Sequence, residues 1–216
     1  STHLLTRDLT SALRFIVITD HHLAAPRNLL KVVEAALVGG AKAVQLRNKS
    51  DTAKELLKLG EHLRHLTEAH EALLFVNDRV DVALAIGADG IHLGPKDPPV
   101  QAVRRLVPDE FLIGFSADDP ELARSAVLEG ANYIGCGTIY ATSTKPDAGD
   151  MIGLPGLRSV IEAVDVPVVA IGGITDDRIP EVVAAGATGV AVASAIMSAS
   201  DPLHAAQCMF TALNTT

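Results

Sequence analysis

Hydrophobic residues fall into eight short runs, each followed by a stretch in which apolar positions have helical spacing. The runs are continuously apolar rather than alternating, as expected for strands that are buried on both faces of a parallel sheet. We predict strands within residues 15–20, 39–47, 73–77, 87–94, 111–116, 130–137, 166–173 and 186–194. We predict helices over 27–38, 51–70, 78–86, 98–107, 118–129, 156–164, 176–185 and 200–213.

A Gly-Ala motif precedes four of the strands. Its copies are GGAKAVQLR (39–47), GADGIHLG (87–94), GANYIGCG (130–137) and GATGVAVAS (186–194). Each copy follows a helix-like stretch, and glycine readily takes the left-handed conformation that ends a helix. The motif therefore predicts four similar helix-to-strand junctions.

The order of elements favours a closed barrel. Eight strand–helix units in 216 residues average about 27 residues each, which suits a (β/α)8 barrel. An open doubly wound sheet would carry a GxGxxG turn after its first strand, and FIVITDHHLAAP has none. No linker or shift in composition divides the chain. We predict an α/β protein with one domain over residues 1–216, a (β/α)8 TIM barrel with an N-terminal extension at 1–14.

Composition narrows the class of protein. Hydrophobic residues make up 48% and aromatic residues 3%, so the core must be mainly aliphatic. A net charge of −8 argues against nucleic acid or an anionic membrane as the main partner. Two cysteines give no disulfide framework, and no apolar run reaches transmembrane length. We expect a cytoplasmic protein that binds small molecules, and a homo-oligomer is left open.

The second strand ends in VQLRNK, at the end of the barrel where loops carry the chemistry. Gln45, Arg47 and Lys49 share one face, because side chains alternate along a strand. If that face points into the barrel, its charges need counter-charges, which a bound anion would supply. The alternative is a solvated outward face, but Val44 and Leu46 suit the helix-packing side better.

Two aspartates follow neighbouring strands. Asn77-Asp78 ends the third strand, and Asp97 lies beyond the end of the fourth. Neighbouring strands are about 4.8 Å apart, so the carboxylates can share a small volume, where they repel unless a proton or cation lies between them. Beside phosphates, magnesium is the natural cation. Taken singly, Asp78 also suits a helix N-cap and Asp97 a turn, while His92 is better explained as a packed strand residue than as a ligand.

Small residues end the later strands. Ser116 follows the fifth strand and either caps the next helix or offers a hydroxyl to a substrate. The seventh strand ends in Gly172-Gly173, and the eighth reaches Ser194. In many barrels the loops after these two strands bind phosphate through backbone N–H groups. We expect the two glycines to let the backbone approach the anion.

A long polar loop follows the sixth strand. It holds three consecutive hydroxyl side chains, Thr142, Ser143 and Thr144, followed by Lys145. This set of donors with one fixed positive charge suits a phosphate or a pyrophosphate. A solvated loop rich in turn residues is the alternative, although long loops within compact domains are usually functional or disordered.

Together these segments resemble the thiamine-phosphate synthase family. VQLRNKS is similar to that family's VQLREK, and LFVNDRVDVALAIGADGIHLG to its third and fourth strands. GCGTIYATSTKPDA is similar to its sixth-strand loop, and AIGGI and ASAI to its two phosphate-binding ends. The resemblance covers roughly residues 15–200. It implies a Mg²⁺-dependent transferase that joins hydroxymethylpyrimidine diphosphate to thiazole phosphate and releases pyrophosphate, in thiamine biosynthesis.

The resemblance also implies roles for the residues singled out above. Gln45 would contact the pyrimidine, and Ser116 would lie near its amino group. The diphosphate would be held by Arg47, Lys49, Asn77 and Lys145, and magnesium by Asp78 and Asp97. The thiazole phosphate would be held by Thr142, Thr144, Gly173 and Ser194. Among these residues, the ones expected to be catalytic are Ser116, Lys145 and Arg47.

Four positions depart from the family's pattern. Asn48 replaces a Glu, but we expect it to face away from the basic side chains. Pro95 stands where Gln is usual and Thr138 where Pro is usual, and both changes can reshape loops. Asp118 stands where His is common, and related thiazole tautomerases use a His there for proton transfer.

The implied chemistry needs no strong base, because the thiazole nitrogen already has a lone pair. The difficult step is loss of the diphosphate, and an electron-rich aminopyrimidine can stabilise the resulting positive charge, so we expect a dissociative substitution. One alternative is a thiazole tautomerase-like isomerase, which needs a proton shuttle; only His92 is near the strand ends. The other is a non-catalytic paralogue that binds thiamine phosphate or its precursors. Retention of both aspartates and of Lys145 argues against that binding protein.

Overall fold

The computed structural model describes residues 6–142 and 150–216. Eight parallel strands pair in sequence order, and the eighth pairs with the first to close the barrel. They are β1 (Phe15–Ile18), β2 (Ala43–Leu46), β3 (Leu73–Asn77), β4 (Gly90–Leu93), β5 (Leu112–Ser116), β6 (Tyr133–Cys136), β7 (Val168–Ile171) and β8 (Gly189–Val192). The predicted (β/α)8 barrel is confirmed.

Helices connect the strands around the outside. They are α1 (Thr6–Ala12), α2 (His21–Ala24), α3 (Leu29–Val38), α4 (Ala53–Ala69), α5 (Val80–Ala85), α6 (Val100–Leu106), α7 (Pro120–Glu129), α8 (Gly153–Ala163), α9 (Ile179–Ala184), α10 (Ser194–Met197) and α11 (Pro202–Asn214), with a 3-10 turn at Asp176–Arg178. Each predicted helical stretch overlaps one of these helices, although α8 begins three residues before its predicted stretch and α11 ends one residue beyond it. The four-residue helices α2 and α10 are too short to show a period of apolar positions. Across the described residues, no helix has the length and apolar character needed to cross a membrane.

The four Gly-Ala motifs mark equivalent turns into even-numbered strands. Gly40, Gly87, Gly130 and Gly186 have φ angles of 123°, 65°, 118° and 107°, respectively. These values lie in the left-handed region, where a side chain is strained and glycine is not. The helix-to-strand junctions predicted from the motif are therefore observed.

Two of these turns are also held by similar hydrogen bonds, each made by a side chain just before the strand. Asp89, just before β4, accepts hydrogen bonds from the backbone of β3 (2.8 Å) and from Arg64 of α4 (2.9 Å). Asn132, just before β6, accepts them from the backbone of β5 (2.8 Å) and from Arg104 of α6 (2.7 Å). Each anchor ties a helix to two adjacent strands, so the repeated motif fixes the frame that carries the loops.

The core has two parts, as in other closed barrels. Leu, Val, Ile and Ala side chains fill the layer between the strands and the helices. A smaller cluster fills the barrel interior and includes Phe75 and Tyr133, whose rings meet edge to face with centroids 5.5 Å apart. Leu9 and Leu13, from the segment predicted as an N-terminal extension, pack against this interior cluster. The interior is thus filled below the strand ends, which leaves the site at the other end of the barrel.

Candidate active site

A cavity of about 370 Å³ opens where the strands finish, and residues from or just beyond all eight strands line it. Most of the predicted site residues lie on its wall. They are Gln45, Arg47, Lys49, Asn77, Asp97, Ser116, Thr142, Gly173 and Ser194. The closed barrel therefore brings together side chains that are up to about 150 positions apart in the sequence.

The other three predicted residues have different outcomes. Asp78 lines an adjoining groove between α5 and α6 instead. Thr144 and Lys145 lie outside the described residues, within 143–149. A further lysine, Lys96, also lines the cavity and is not among the predicted site residues. Its only signal in the sequence is its place two positions after Gly94, at the end of β4.

The basic face of β2 points into the barrel. Gln45 is buried, with 4% of its surface exposed, and lines the cavity together with Arg47. Val44 and Leu46 belong to the core between the strands and the helices. The inward face predicted from alternation is therefore the observed one, and the outward alternative is wrong.

Thr19 fixes the backbone at Arg47. The Arg47 N–H donates to Thr19 Oγ1 at 3.0 Å, and the Thr19 hydroxyl donates to the Arg47 carbonyl at 3.3 Å. Thr19 is itself buried, with 1% of its surface exposed. These bonds extend the pairing of β1 and β2 beyond the strand ends, so the Arg47 side chain leaves the barrel rim from a fixed point.

Asp78 and Asp97 lie close enough to interact directly. Burial raises the pKa of the Asp78 carboxyl, and a hydrogen bond and charge repulsion from Asp97 raise it further. The positive charges of Lys49 and Arg79 act in the opposite direction on the same pKa. Two carboxyl groups in this relation favour a shared proton or a cation between them.

The helix-cap role considered for Asp78 and the turn role considered for Asp97 have different outcomes. The N-cap of α5 is Arg79 and it makes no side-chain cap bond, so Asp78 is not the cap of that helix. Asp78 instead has a φ angle of 67°, in the left-handed region. Asp97 accepts a hydrogen bond from the Gly94 N–H at 2.7 Å, which closes the turn after β4. The turn role predicted for Asp97 is therefore observed alongside its contact with Asp78.

Ser116 contacts a buried histidine rather than the next helix. Its Oγ lies 2.7 Å from His92 Nε2, and His92 Nδ1 lies 2.9 Å from the Tyr133 hydroxyl. The N-cap of α7 is Asp119, so the cap hypothesis for Ser116 is wrong. His92 has 4% of its surface exposed, which confirms it as a hydrogen-bonded strand residue.

The glycines after β7 let two loops come into contact. Gly172 and Gly173 have φ angles of 102° and 66°. The Tyr140 N–H donates to the Gly172 carbonyl at 3.0 Å, which joins the loop after β6 to the end of β7. A Cβ at Gly173 would lie 2.8 Å from Tyr140 Cβ, closer than such atoms approach. Both glycines are therefore required by this junction at the cavity wall.

Arg178 braces the same junction from the other side. Its Nη1 donates to the Gly173 carbonyl at 2.6 Å, and its guanidinium lies 4.4 Å from the centre of the Tyr140 ring. The Tyr140 hydroxyl donates to Glu181. Burial and this bond to the carboxylate raise the pKa of Tyr140 to about 12. No motif in the sequence indicates this brace, because the fold alone brings its members together.

Ser194 follows the neighbouring strand β8, lines the same cavity and is the first residue of α10. The first N–H groups of a helix have no partner within the helix, so they are available to an anion. The cavity therefore has two polar sectors. One sector, around β2 to β4, carries Arg47, Lys49 and Asp97, and Asp78 lies next to Asp97 in the adjoining groove. The other, around β7 and β8, carries backbone donors near Gly173 and Ser194.

Comparison with known proteins identifies the family. The sequence profile described as thiamine monophosphate synthase matches residues 15–196. The chain belongs to the thiamine monophosphate synthase family. The thiamine-phosphate synthase of Moorella thermoacetica is 47% identical over 193 residues, which cover 89% of this chain and 91% of that protein. The thiamine-phosphate synthase of Pyrococcus abyssi is 46% identical over 189 residues, 88% of this chain and 89% of that protein.

A solved structure agrees with the sequence match. The thiamine phosphate pyrophosphorylase from Pyrococcus furiosus superposes with a TM-score of 0.88 and 41% sequence identity. The match covers 96% of this chain and 98% of that chain. The barrel of this chain is therefore that of the thiamine monophosphate synthase family over nearly its whole length.

Three of the four positions that depart from the pattern of thiamine monophosphate synthases lie on the cavity wall. They are Pro95, Asp118 and Thr138. Asn48 is turned the other way and its Oδ1 accepts a hydrogen bond from the Ser50 hydroxyl at 2.8 Å. The expectation that Asn48 faces away from the basic side chains is therefore met.

Proposed function

We propose that this chain joins hydroxymethylpyrimidine diphosphate to thiazole phosphate, with release of pyrophosphate, as a thiamine-phosphate synthase. The observation that carries the proposal is the single cavity with two polar sectors in a chain of this family. One sector suits a diphosphate and the other a phosphate. A transferase for two phosphorylated substrates needs both sectors in one cavity, at a separation that the joined product can span.

The sector around β2 to β4 would hold the leaving diphosphate. Arg47 offers a planar pair of N–H donors, which suits phosphate oxygens better than a single ammonium group does. Lys49 and Asn77 lie on the same part of the wall, and Lys145 is expected to join them. These positive charges would stabilise the charge that develops on the diphosphate as the carbon–oxygen bond breaks.

The carboxylate pair fits a magnesium ion. Asp78 and Asp97 repel each other when both are ionised, and magnesium is usually held by one or two carboxylates together with phosphate oxygens. Magnesium, when bound, would neutralise charge on the leaving diphosphate. Lys49, a member of the basic face of β2, already favours the ionised form of Asp78. The described residues contain no group of three or more His, Cys, Asp or Glu side chains suited to a metal, so diphosphate oxygens would complete the set.

The remaining residues would orient the two rings. Gln45 and Ser116 lie on the cavity wall and would contact the aminopyrimidine. The backbone near Gly173 and Ser194, with Thr142, would hold the thiazole phosphate, so that the thiazole nitrogen faces the reacting carbon. Departure of the diphosphate would leave a positive charge that the aminopyrimidine delocalises, and the nitrogen lone pair would then form the new carbon–nitrogen bond. No step requires a base on the protein.

A product assay tests the proposal. The purified chain is mixed with both substrates and Mg²⁺, and thiamine phosphate and pyrophosphate are measured over time. We expect the two products to appear in equal amounts, and removal of Mg²⁺ by EDTA to stop both. Conversion of a thiazole phosphate isomer without use of the pyrimidine would indicate a tautomerase. Binding of both substrates without turnover would indicate a non-catalytic paralogue.

A further inference from the structure

A line of three polar side chains runs from the barrel interior to the cavity. The Tyr133 hydroxyl lies 2.9 Å from His92 Nδ1, and His92 Nε2 lies 2.7 Å from Ser116 Oγ. Tyr133 has 1% and His92 4% of its surface exposed, whereas Ser116 is half-buried on the cavity wall. Each residue comes from a different strand, β4, β5 or β6, so the line depends on the register of the barrel.

Two glycines make room for the rings in this line. A Cβ at Gly114 would lie 2.1 Å from the Tyr133 ring, and one at Gly135 would lie 3.0 Å from His92 Cε1. Phe75 packs against the other side of the Tyr133 ring, edge to face. The two glycines therefore leave the space that both rings occupy, and Phe75 fills one more side of the Tyr133 ring.

The need of each buried donor for an acceptor assigns the protons along this line of side chains. Burial raises the pKa of the Tyr133 phenol, so its hydroxyl keeps a proton that must find an acceptor. Among the described residues, the one acceptor recorded within reach of that hydroxyl is His92 Nδ1. If Nδ1 carried its own proton, the phenol proton would be buried without a partner, which is costly. Nδ1 is therefore the acceptor, and the proton of His92 is on Nε2.

This tautomer decides what Ser116 offers to the cavity. With the proton on Nε2, the imidazole donates to Ser116 Oγ, so the serine hydroxyl keeps its own proton for another partner. With the other tautomer, Ser116 would donate to the imidazole and would present only lone pairs to the cavity. The buried phenol therefore controls whether the cavity wall carries a hydrogen-bond donor at this point.

We propose that Tyr133 and His92 are positioning residues that hold the Ser116 hydroxyl as a hydrogen-bond donor directed into the cavity. The substrate group that fits this donor is a ring nitrogen with a free lone pair, next to an amino group that the second Ser116 lone pair can accept from. An aminopyrimidine presents that pair of neighbours on one edge. The identity of the ligand rests on the proposed function, whereas the tautomer does not.

Nitrogen NMR of the ligand-free protein tests the tautomer directly. Two-bond proton–nitrogen correlations of ¹⁵N-histidine-labelled protein distinguish protonated from unprotonated ring nitrogens, and His92→Asn identifies the His92 signals. We expect His92 to have its proton on Nε2, and Tyr133→Phe to shift the pattern towards a mixture of tautomers. A wild-type His92 with its proton on Nδ1, or a pattern unchanged in Tyr133→Phe, would overturn the proposal.

Steady-state kinetics test the consequence for substrate. Tyr133→Phe removes one oxygen atom from a packed ring, and we expect kcat to fall by roughly tenfold, the effect of one neutral hydrogen bond. KM for the thiazole phosphate should stay the same. In a Ser116→Ala background, Tyr133→Phe should have no further effect on kcat, because its effect passes through the serine.

Phe75→Leu is the matched packing control. It trims the ring against Tyr133 without removing a hydrogen bond, so it should lower the melting temperature and leave both kcat and the His92 tautomer unchanged. An equal loss of kcat from Tyr133→Phe with and without Ser116 would overturn the positioning role. If the chain has no synthase activity at all, the proposed function fails, and the NMR result alone decides the tautomer.

Discussion

Arg47→Ala would remove a fixed positive charge from the cavity wall with little effect on the fold. The Arg47 backbone keeps its two hydrogen bonds to Thr19 in the variant, because neither involves the Arg47 side chain. Within residues 6–142 and 150–216, no ion pair of the Arg47 guanidinium is recorded. We therefore expect the free energy of unfolding to change by no more than about 0.5 kcal/mol.

The expected effect on turnover is much larger. Removing one preorganised group that stabilises developing charge costs on the order of 2–4 kcal/mol, or roughly 30- to 1000-fold in kcat/KM. The neighbouring variant Asn48→Ala is the control, because Asn48 bonds only to Ser50 among the described residues and is not on the cavity wall. We expect Asn48→Ala to change kcat/KM less than about threefold, corresponding to under about 0.7 kcal/mol.

The assay compares both variants with the wild type at saturating thiazole phosphate. Pyrophosphate formation gives kcat/KM for the pyrimidine diphosphate, calorimetric titration gives the affinity for pyrophosphate, and thermal melting checks the fold. Arg47→Ala should lose both turnover and pyrophosphate affinity at an unchanged melting temperature. Equal losses in the two variants, or full activity in Arg47→Ala, would refute the assignment of the diphosphate to this face.

Three further variants test the other parts of the cavity. Asp78→Asn should abolish most Mg²⁺-dependent turnover yet raise the melting temperature of the metal-free protein at pH 7. Asp81→Asn is the control: it breaks an exposed ion pair with a neighbouring arginine and should not raise the melting temperature. Gly173→Ala should weaken binding of the thiazole phosphate in titrations, because the added Cβ would overlap a neighbouring loop. Gly87→Ala is the control: its Cβ would have no atom within 4 Å, so only the positive φ angle should lower stability. Thr142→Val should raise KM for the thiazole phosphate and leave KM for the pyrimidine diphosphate unchanged.

The sign of the Asp78 effect follows from its pKa. Burial and Asp97 raise the pKa in the folded state above the ordinary value of 3.8. The folded state therefore holds this proton more tightly than the unfolded state, and the resulting stability is lost as the pH rises through the folded pKa. Asp78→Asn cannot ionise, so its advantage in melting temperature should be present at pH 7 and disappear near the ordinary value. An advantage that grows as the pH falls would contradict the cause given for the raised pKa.

The sequence was sufficient for the barrel because its signals are local and repeated. Apolar runs predicted the strands, and Gly-Ala turns predicted the junctions. The inward face of β2 followed from alternation alone, since Val44 and Leu46 are apolar and Gln45 and Arg47 are not. Such signals need no knowledge of which strands become neighbours.

The residues at the N-termini of α5 and α7 were predicted less well, because several residues near each helix start could occupy the N-cap position. Ser116 does not cap α7, since Pro120 at the start of the helix makes Asp119 the better-placed N-cap. Asp78 does not cap α5, because the chain makes a left-handed turn there and the helix begins two residues later, at Val80. In both cases a suitable side chain lies close to the helix, but the backbone places it outside the cap position.

Side-chain contacts between different strands and loops could not be predicted from the sequence. The line from Tyr133 through His92 to Ser116 requires the register of three strands, and each residue alone has an ordinary explanation in the core. The brace of Arg178 on Tyr140 depends on two loops that meet only in the closed barrel. These contacts carry no spacing that a single sequence reveals.

A crystal structure of the chain with thiamine phosphate, pyrophosphate and Mg²⁺ tests the two-sector cavity most directly. We predict pyrophosphate against Arg47 and Lys49, with Mg²⁺ between it and the Asp78–Asp97 pair. The phosphate of thiamine phosphate should lie against the backbone near Gly173, across the cavity. Phosphate groups found in the reverse order, or Mg²⁺ bound away from both aspartates, would contradict the assignment of the two sectors.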